Sequence, residues 1–173
     1  SEDSSGKTRS DFVLATRANR ARVVLMATHQ FVYTRRVEFA DTDVAGIMHF
    51  SNFFRFMEVA EHAFYRSLGF SVHDFRTEPD GPKIGWPRVH ASADFKAPLK
   101  FEEEVQIEIL IERIGKKSIT YFFRVVKPGD VLAATGKFVV ACVQLDAPGG
   151  MRGIPIPDSL RDKLAEAPAD LIA

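Results

Sequence analysis

The strongest constraint in this 173-residue chain is a helix-forming stretch that starts at Ser51 or Asn52 and runs to about Leu68. Phe53, Met57, Ala60, Phe64 and Leu68 recur at helical spacing on one face. Phe54, Phe56 and Ala63 widen that face beyond an amphipathic stripe, and only Arg55, Glu58, His62 and Arg66 make a coherent polar edge. Ser51 or Asn52 is expected to cap the first turn, and Gly69 to end the last. A helix this apolar has to be nearly engulfed by the rest of the chain.

The flanking sequence supplies the wrapping. Residues 31–39 alternate and are rich in β-branched and aromatic types, so they read as a strand that ends in a short loop. After Pro79, Gly81, Pro82 and Pro87, four further strands are expected over residues 88–98, 104–114, 118–126 and 131–145. In the second of these, Val105, Ile107, Ile109 and Ile111 alternate with polar residues, as in a half-buried antiparallel strand. Gly115 and the Pro128-Gly129-Asp130 run are expected to turn hairpins, with glycine taking positive φ. A short helix is expected over residues 157–165. The fold class is α+β, a long central helix wrapped by a curved antiparallel five-stranded sheet in the order β-α-β-β-β-β. Such a sheet has open edges, and pairing an edge with a second copy implies a homodimer at least. Residues 28–173 read as one domain and residues 1–27 as an N-terminal arm, flexible or forming a short helix over 12–26. The arm's Ser and Arg content suits a transit peptide, against which Glu2, Asp3 and Asp11 weigh.

Composition narrows the function. Lys plus Arg total 23 and Asp plus Glu total 23, so the net charge is zero and there is no electrostatic footprint for nucleic acid or an anionic membrane. One cysteine, Cys142, excludes an intramolecular disulfide and a multi-cysteine zinc site; it falls mid-strand and reads as a buried thiol. No stretch is long and apolar enough to span a bilayer, and a cytoplasmic location is expected. Gly69-Phe70-Ser71 lacks the closing glycine of a nucleophile elbow, and Gly115-Lys116-Lys117-Ser118 lacks the upstream glycine of a phosphate loop. Glu58, Glu61 and His62 lack a further histidine at metal-ligand spacing, and Glu58 and His62 read as a surface stripe. Neither metal nor cofactor is expected.

One junction carries chemistry. Phe39-Ala40-Asp41-Thr42-Asp43-Val44-Ala45-Gly46-Ile47-Met48-His49-Phe50 places two carboxylates, a glycine and a histidine between a strand end and the N-terminus of the buried helix. Unpaired N–H groups in a first helical turn can hold a carbonyl oxygen as charge develops on it. A neighbouring carboxylate can attack, or deprotonate a water. Those are parts for acyl transfer to water. The same residues also suit a turn in which Asp41 and Asp43 bond only to backbone and Gly46 permits the bend.

The run D-T-D-x-x-G-I-M-H-F-S-N-F-F-R-F-M-E-x-A-E resembles the signature of the hotdog-fold acyl-CoA thioesterases, the 4-hydroxybenzoyl-CoA thioesterase-like family, and the likeness extends over residues 31–145. The resemblance implies hydrolysis of acyl-CoA to free acid and CoA, with the active sites at the interface of a homodimer or homotetramer. It implies Asp43 as nucleophile or general base, the Phe50 backbone amide as the carbonyl-polarising donor, and Gly46 as the point of close approach to substrate. His49 is a candidate for orienting water or the thioester. Glu58 stands at an acidic helix position of the family, and Glu61 is a weaker alternative because another branch uses a helix glutamate as base. Ile47, Phe53 and Trp86 are expected to line the acyl pocket, with the loop over 70–86 shaping it and an anchor for the next strand as the alternative place for Trp86. An acyl-carrier-protein thioesterase and a non-catalytic acyl-CoA-binding module remain as alternatives. For the first, Lys96, Lys100, Lys116 and Lys117 are the candidate docking patch, although lysines at strand ends also protect edges.

Overall fold

The computed structural model describes residues 27–172. The arm expected over 1–27 therefore lies outside the described residues except for Ala27. The chain runs β1 (Gln30–Arg36), α1 (Phe50–Ser67), β2 (Ile84–Gly85), β3 (Arg88–Phe95), β4 (Glu104–Ile114), β5 (Ser118–Lys127), β6 (Val131–Ala141), β7 (Val143–Gln144), β8 (Arg152–Gly153) and α2 (Asp158–Arg161). β1, β4, β5, β6 and β3 form one five-stranded sheet in that spatial order, with every neighbouring pair antiparallel. This is the expected hotdog fold, with α1 held against the concave face.

The alternation in β4 decides which face that is. Val105, Ile107, Ile109 and Ile111 are all fully buried, and they face Tyr121, Phe123 and Val125 of β5 in the same core. From α1, Phe56, Met57, Ala60, Phe64 and Tyr65 complete it. Each large side chain so buried contributes about 1.5–3 kcal/mol, which is why a helix with so little polar surface is held here. Irregularities between Ile111 and Arg113, Val125 and Val126, and Arg88 and His90 bend the strands around it. At the closest approach β6 has no side chain at all. A Cβ on Gly136 would clash with Met57 Cε and lie 3.1 Å from the Ser92 carbonyl oxygen.

Several boundaries differ from those expected. The first strand stops at Arg36, and Phe39–Asp41 forms a 3₁₀ turn whose backbone leads into the loop before α1. The third stops at Phe95 because the Lys96 and Ala97 N–H groups both turn to the Ala133 carbonyl oxygen. The expected last strand is two. Cys142 donates its N–H to Lys117 and breaks the run, after which β7 joins β2 and β8 in a small second sheet. The helix expected over 157–165 is a single turn, α2. His49, not Ser51 or Asn52, caps α1, while Gly69 ends it at φ +87° as expected. Gly129 and Asp130 take positive φ, but Gly115 does not; its place is set instead by the Ser118 hydroxyl, 3.0 Å from where a Cβ would sit.

β3 is the outer strand beyond β6, and Val89, His90, Ala91 and Ser92 are exposed along it. Substituting Gly136→Ala should lower unfolding free energy by about 1–3 kcal/mol, since Met57 is fully enclosed and has nowhere to move. Chemical denaturation compared with a Gly153→Ala control, at an exposed position where a Cβ meets only the Lys117 side chain at ordinary contact distance, checks this.

Candidate active site

The two aspartates of the junction do different work. Asp41 is buried, and its Oδ2 accepts the Glu38 N–H at 2.9 Å while Arg35 lies 3.7 Å from Oδ1. Its carbonyl oxygen accepts the His49 N–H at 2.9 Å and the buried Asn52 side-chain amide at 2.8 Å. Asp41 thus ties the end of the strand to the first turn of α1. Between those ties the chain folds back on itself: the Asp43 N–H donates to Ile47 O at 2.9 Å, and the Gly46 N–H to Asp43 O at 2.9 Å. Gly46 sits at φ +73°, where a side chain would be strained, and nothing lies within 4 Å of an added Cβ.

Asp43 stands at the mouth of this loop, partly exposed. Its Oδ1 accepts the Ala45 N–H at 2.8 Å, and among the described residues Oδ2 has no hydrogen-bond partner. The Phe50 N–H opens α1 and likewise has no acceptor among the described residues. Asp43 and Phe50 line one cleft of about 470 Å³, with Ile47, Met48 and Phe53 on one side and Phe95, Lys96, Ala97 and Pro98 on the other. Two residues that each carry an unpaired polar group, a carboxylate oxygen on Asp43 and a helix N-terminal donor on Phe50, therefore line one largely apolar space.

The family profile described as the thioesterase-like superfamily matches residues 37–164, which includes the whole junction and most of both sheets. The chain belongs to that superfamily. It is a thioester hydrolase. Against a 1,4-dihydroxy-2-naphthoyl-CoA hydrolase of Nostoc punctiforme it is 34% identical over 93 residues, which is 53% of this chain and 61% of that protein. The match thus spans about three-fifths of the Nostoc enzyme's length. A solved gentisyl-coenzyme A thioesterase is 34% identical with a TM-score of 0.65, covering 76% of this chain and 99% of that one. A 4-hydroxybenzoyl-CoA thioesterase structure has a TM-score of 0.70 at 22% identity over 80% of this chain and 100% of the other, a likeness of fold alone.

The thioesterase brings together four of the expected site residues, Asp43, Ile47, Phe50 and Phe53, in the cleft. Gly46 forms the turn beneath it. His49 caps α1 instead of pointing freely at the opening: its Nδ1 lies 2.8 Å from Ser51 Oγ and accepts the Ser51 N–H at 3.4 Å, and its ring stacks on Phe50 at 4.4 Å. With Nδ1 accepting, a neutral ring carries its proton on Nε2. Trp86 is not in the cleft. It packs against Tyr65 and Phe75, with ring centroids 5.7 and 5.6 Å away, and borders a different pocket. Glu58 does not line the cleft either. Together with Glu61 it pairs with Arg88 of β3, at 3.1 Å to Nη1 for Glu58 and through Nη2 for Glu61. Glu58, expected on a surface stripe, is half exposed and shares an ion-pair cluster with Glu61, which is only 3% exposed. Cys142 is buried as expected, and burial pushes its thiol up to about 12.

Phe95, Lys96, Ala97 and Pro98 complete the cleft although they lie more than forty residues from Asp43. Nothing local in the sequence marks them; only the pairing of β3 with β6 carries them there. Within that segment the sequence points only to Lys96, and to a docking patch.

Burial holds the Glu61 carboxyl above its ordinary 4.5, the nearby Arg88 offsetting only part of the cost. A carboxyl raised on folding binds protons more readily in the folded state. Its contribution thus favours the fold at acid pH and is given up as pH climbs through the raised value. Removing Arg88 (Arg88→Met) leaves that charge buried and unpaired, and should cost about 3–5 kcal/mol at neutral pH. The deficit should shrink as the pH falls toward 5, which denaturant titrations at a series of pH values will read directly.

Proposed function

We propose that the protein hydrolyses aryl-CoA thioesters, with Asp43 as nucleophile or general base and the Phe50 amide as the oxyanion donor. The observation that carries this reading is the shared cleft, lined by both Asp43, whose Oδ2 is unpaired, and Phe50, whose N–H is unpaired. A thioester is already activated, so a base contributing about 10²–10⁴-fold and a donor contributing about 10²–10³-fold suffice for turnover. If Asp43 attacks, the acyl group passes to its carboxylate as a mixed anhydride while CoA leaves as thiolate, and water then cleaves the anhydride. If Asp43 acts as base, it takes a proton from the water that attacks. In both routes charge gathers on the carbonyl oxygen at Phe50.

Aromatic acyl groups are favoured by the rings of Phe50, Phe53 and Phe95 around the opening, and by the names of the two relatives at 34% identity, which act on dihydroxynaphthoyl-CoA and gentisyl-CoA. Lys96 at the rim is a suitable cation for the carrier's phosphates. The cleft is also bordered by the end of the open strand β3, so a second copy pairing along that edge would close over it; a homodimer is the working assembly in this reading. Sedimentation equilibrium should return at least twice the 19.3 kDa of one chain, and a monomer at micromolar concentration would refute the assembly.

Free-thiol release from a panel of aryl- and alkyl-CoA esters tests the chemistry. Wild type should prefer hydroxybenzoyl-type esters, and Asp43→Ala should lose about 100-fold or more in kcat while remaining folded. Equal turnover by both proteins would remove Asp43 from the mechanism. Phe50 is the first helical residue, a position that tolerates proline, and His49 before it already has the extended backbone proline requires (φ −62°, ψ 135°). Phe50→Pro should therefore keep the fold, delete the N–H and lower kcat by about 10²–10³-fold relative to Phe50→Ala. Single turnover in ¹⁸O-water that leaves label in Asp43 establishes attack by Asp43 with water then entering at its carboxyl carbon, whereas base catalysis puts the label in the free acid alone. A burst of thiol ahead of free acid in rapid-quench single turnover marks the anhydride when water enters at the acyl carbon instead.

A further inference from the structure

Among the described residues the buried charged or amide side chains are Asp41, Asn52 and Glu61, and the first two meet at the junction that carries Asp43 and Phe50. We propose that Asn52 is a positioning residue for the hydrolysis described above, its side-chain amide fixing how the Asp43 carboxylate and the Phe50 N–H stand relative to each other. The inference rests on that reading of the cleft. Asn52 does not line the cleft itself and acts only through the other two residues.

Both groups are referred to one acceptor. Asp43 stands two residues after Asp41 in the loop, and Phe50 lies between His49 and Asn52 at the start of α1. The Asp41 carbonyl oxygen takes the His49 N–H at 2.9 Å and Asn52 Nδ2 at 2.8 Å, so both of its lone pairs are used. Asp41 is itself held, since its N–H donates to the Glu38 carbonyl oxygen and its Oδ2 accepts the Glu38 N–H, each at 2.9 Å. With the His49 bond alone, loop and helix would share one hydrogen bond at this acceptor and could turn about it. The Asn52 bond adds a second attachment on the far side of Phe50 and removes that freedom. Because the Asp41 oxygen keeps one donor when the amide is lost, the amide matters more to geometry than to folding. Geometry is what the reaction is sensitive to: a displacement of about 1 Å costs about 100-fold in rate.

Asn52→Leu keeps much of the side chain's volume and has no donor, and its turnover is measured on the best substrate of the aryl- and alkyl-CoA panel. Its kcat should fall by about tenfold or more while KM stays within about twofold and the variant still melts cooperatively. Asn52→Ala, which also lacks a donor and favours the helix, should lose a similar factor. Without Asp43 there is no pair to align, so adding Asn52→Leu to Asp43→Ala should cost less than about threefold more. An unchanged kcat in either folded variant, a loss carried by KM, or full additivity with Asp43→Ala overturns the positioning role while leaving Asp43 in the mechanism. So does failure of both variants to fold, which makes Asn52 a structural residue. A wild type that turns over none of the esters, or an Asp43→Ala variant that matches it, instead removes the reading on which the inference stands, and the inference with it.

Discussion

The carbonyl oxygen of Asp41 holds the candidate site together. It takes one hydrogen bond from the His49 backbone and another from the Asn52 side chain, and so fastens the strand end to the first turn of α1. Because both ends of the seven-residue excursion 42–48 are fixed, the excursion has to close tightly, and Gly46 allows it to do so. Asp43 is left at the tip with one oxygen committed to the backbone and the other free. The exposure of its carboxylate follows from the burial of its neighbour's.

The position of α1 rests in turn on the sheet. Met57 occupies the space left by Gly136, and the inner residues of β4 and β5 close around the helix, so the N-terminus of α1 cannot shift without opening the core. This matters for an oxyanion donor, whose value depends on being fixed before charge develops. On the other side of the helix, Arg88 links β3 to α1 through Glu58 and Glu61 and lies over the Phe138 ring at 4.1 Å. The strand that contributes Phe95 to the cleft is thus tied by charge to the helix that contributes Phe50.

Residues close in sequence were legible where a local pattern marks them. The strand over 104–114 matches β4 at both ends because Val105, Ile107, Ile109 and Ile111 keep to one face and a hairpin turn bounds it. The central helix was evident from its apolar spacing, yet its cap was misplaced by two or three residues, since His49 caps with a ring nitrogen, outside the usual set of capping residues. Glu61 stood only as a weaker alternative base, and nothing near it in sequence marks its ion pair, because its partner Arg88 is twenty-seven residues away and on another element. Trp86 shows the same limit. An aromatic residue near the end of a long loop looked suited to line the acyl cleft, but Tyr65 and Phe75 draw it to the far side of the helix.

By itself, then, the sequence determined the α+β class, the engulfed helix, the alternating strands around it, and the junction in which Asp43 precedes a helix N-terminus. Each of these depends on spacing within a few residues, where backbone geometry alone dictates which side chains share a face. Tertiary structure decided which of the two aspartates is buried, which strand end forms the opposite wall of the cleft, and where the charges of Glu58 and Glu61 are balanced. Those outcomes depend on which distant segments exclude water from one another, and burial of that kind is a property of the packed whole with no signature in a local run of residues.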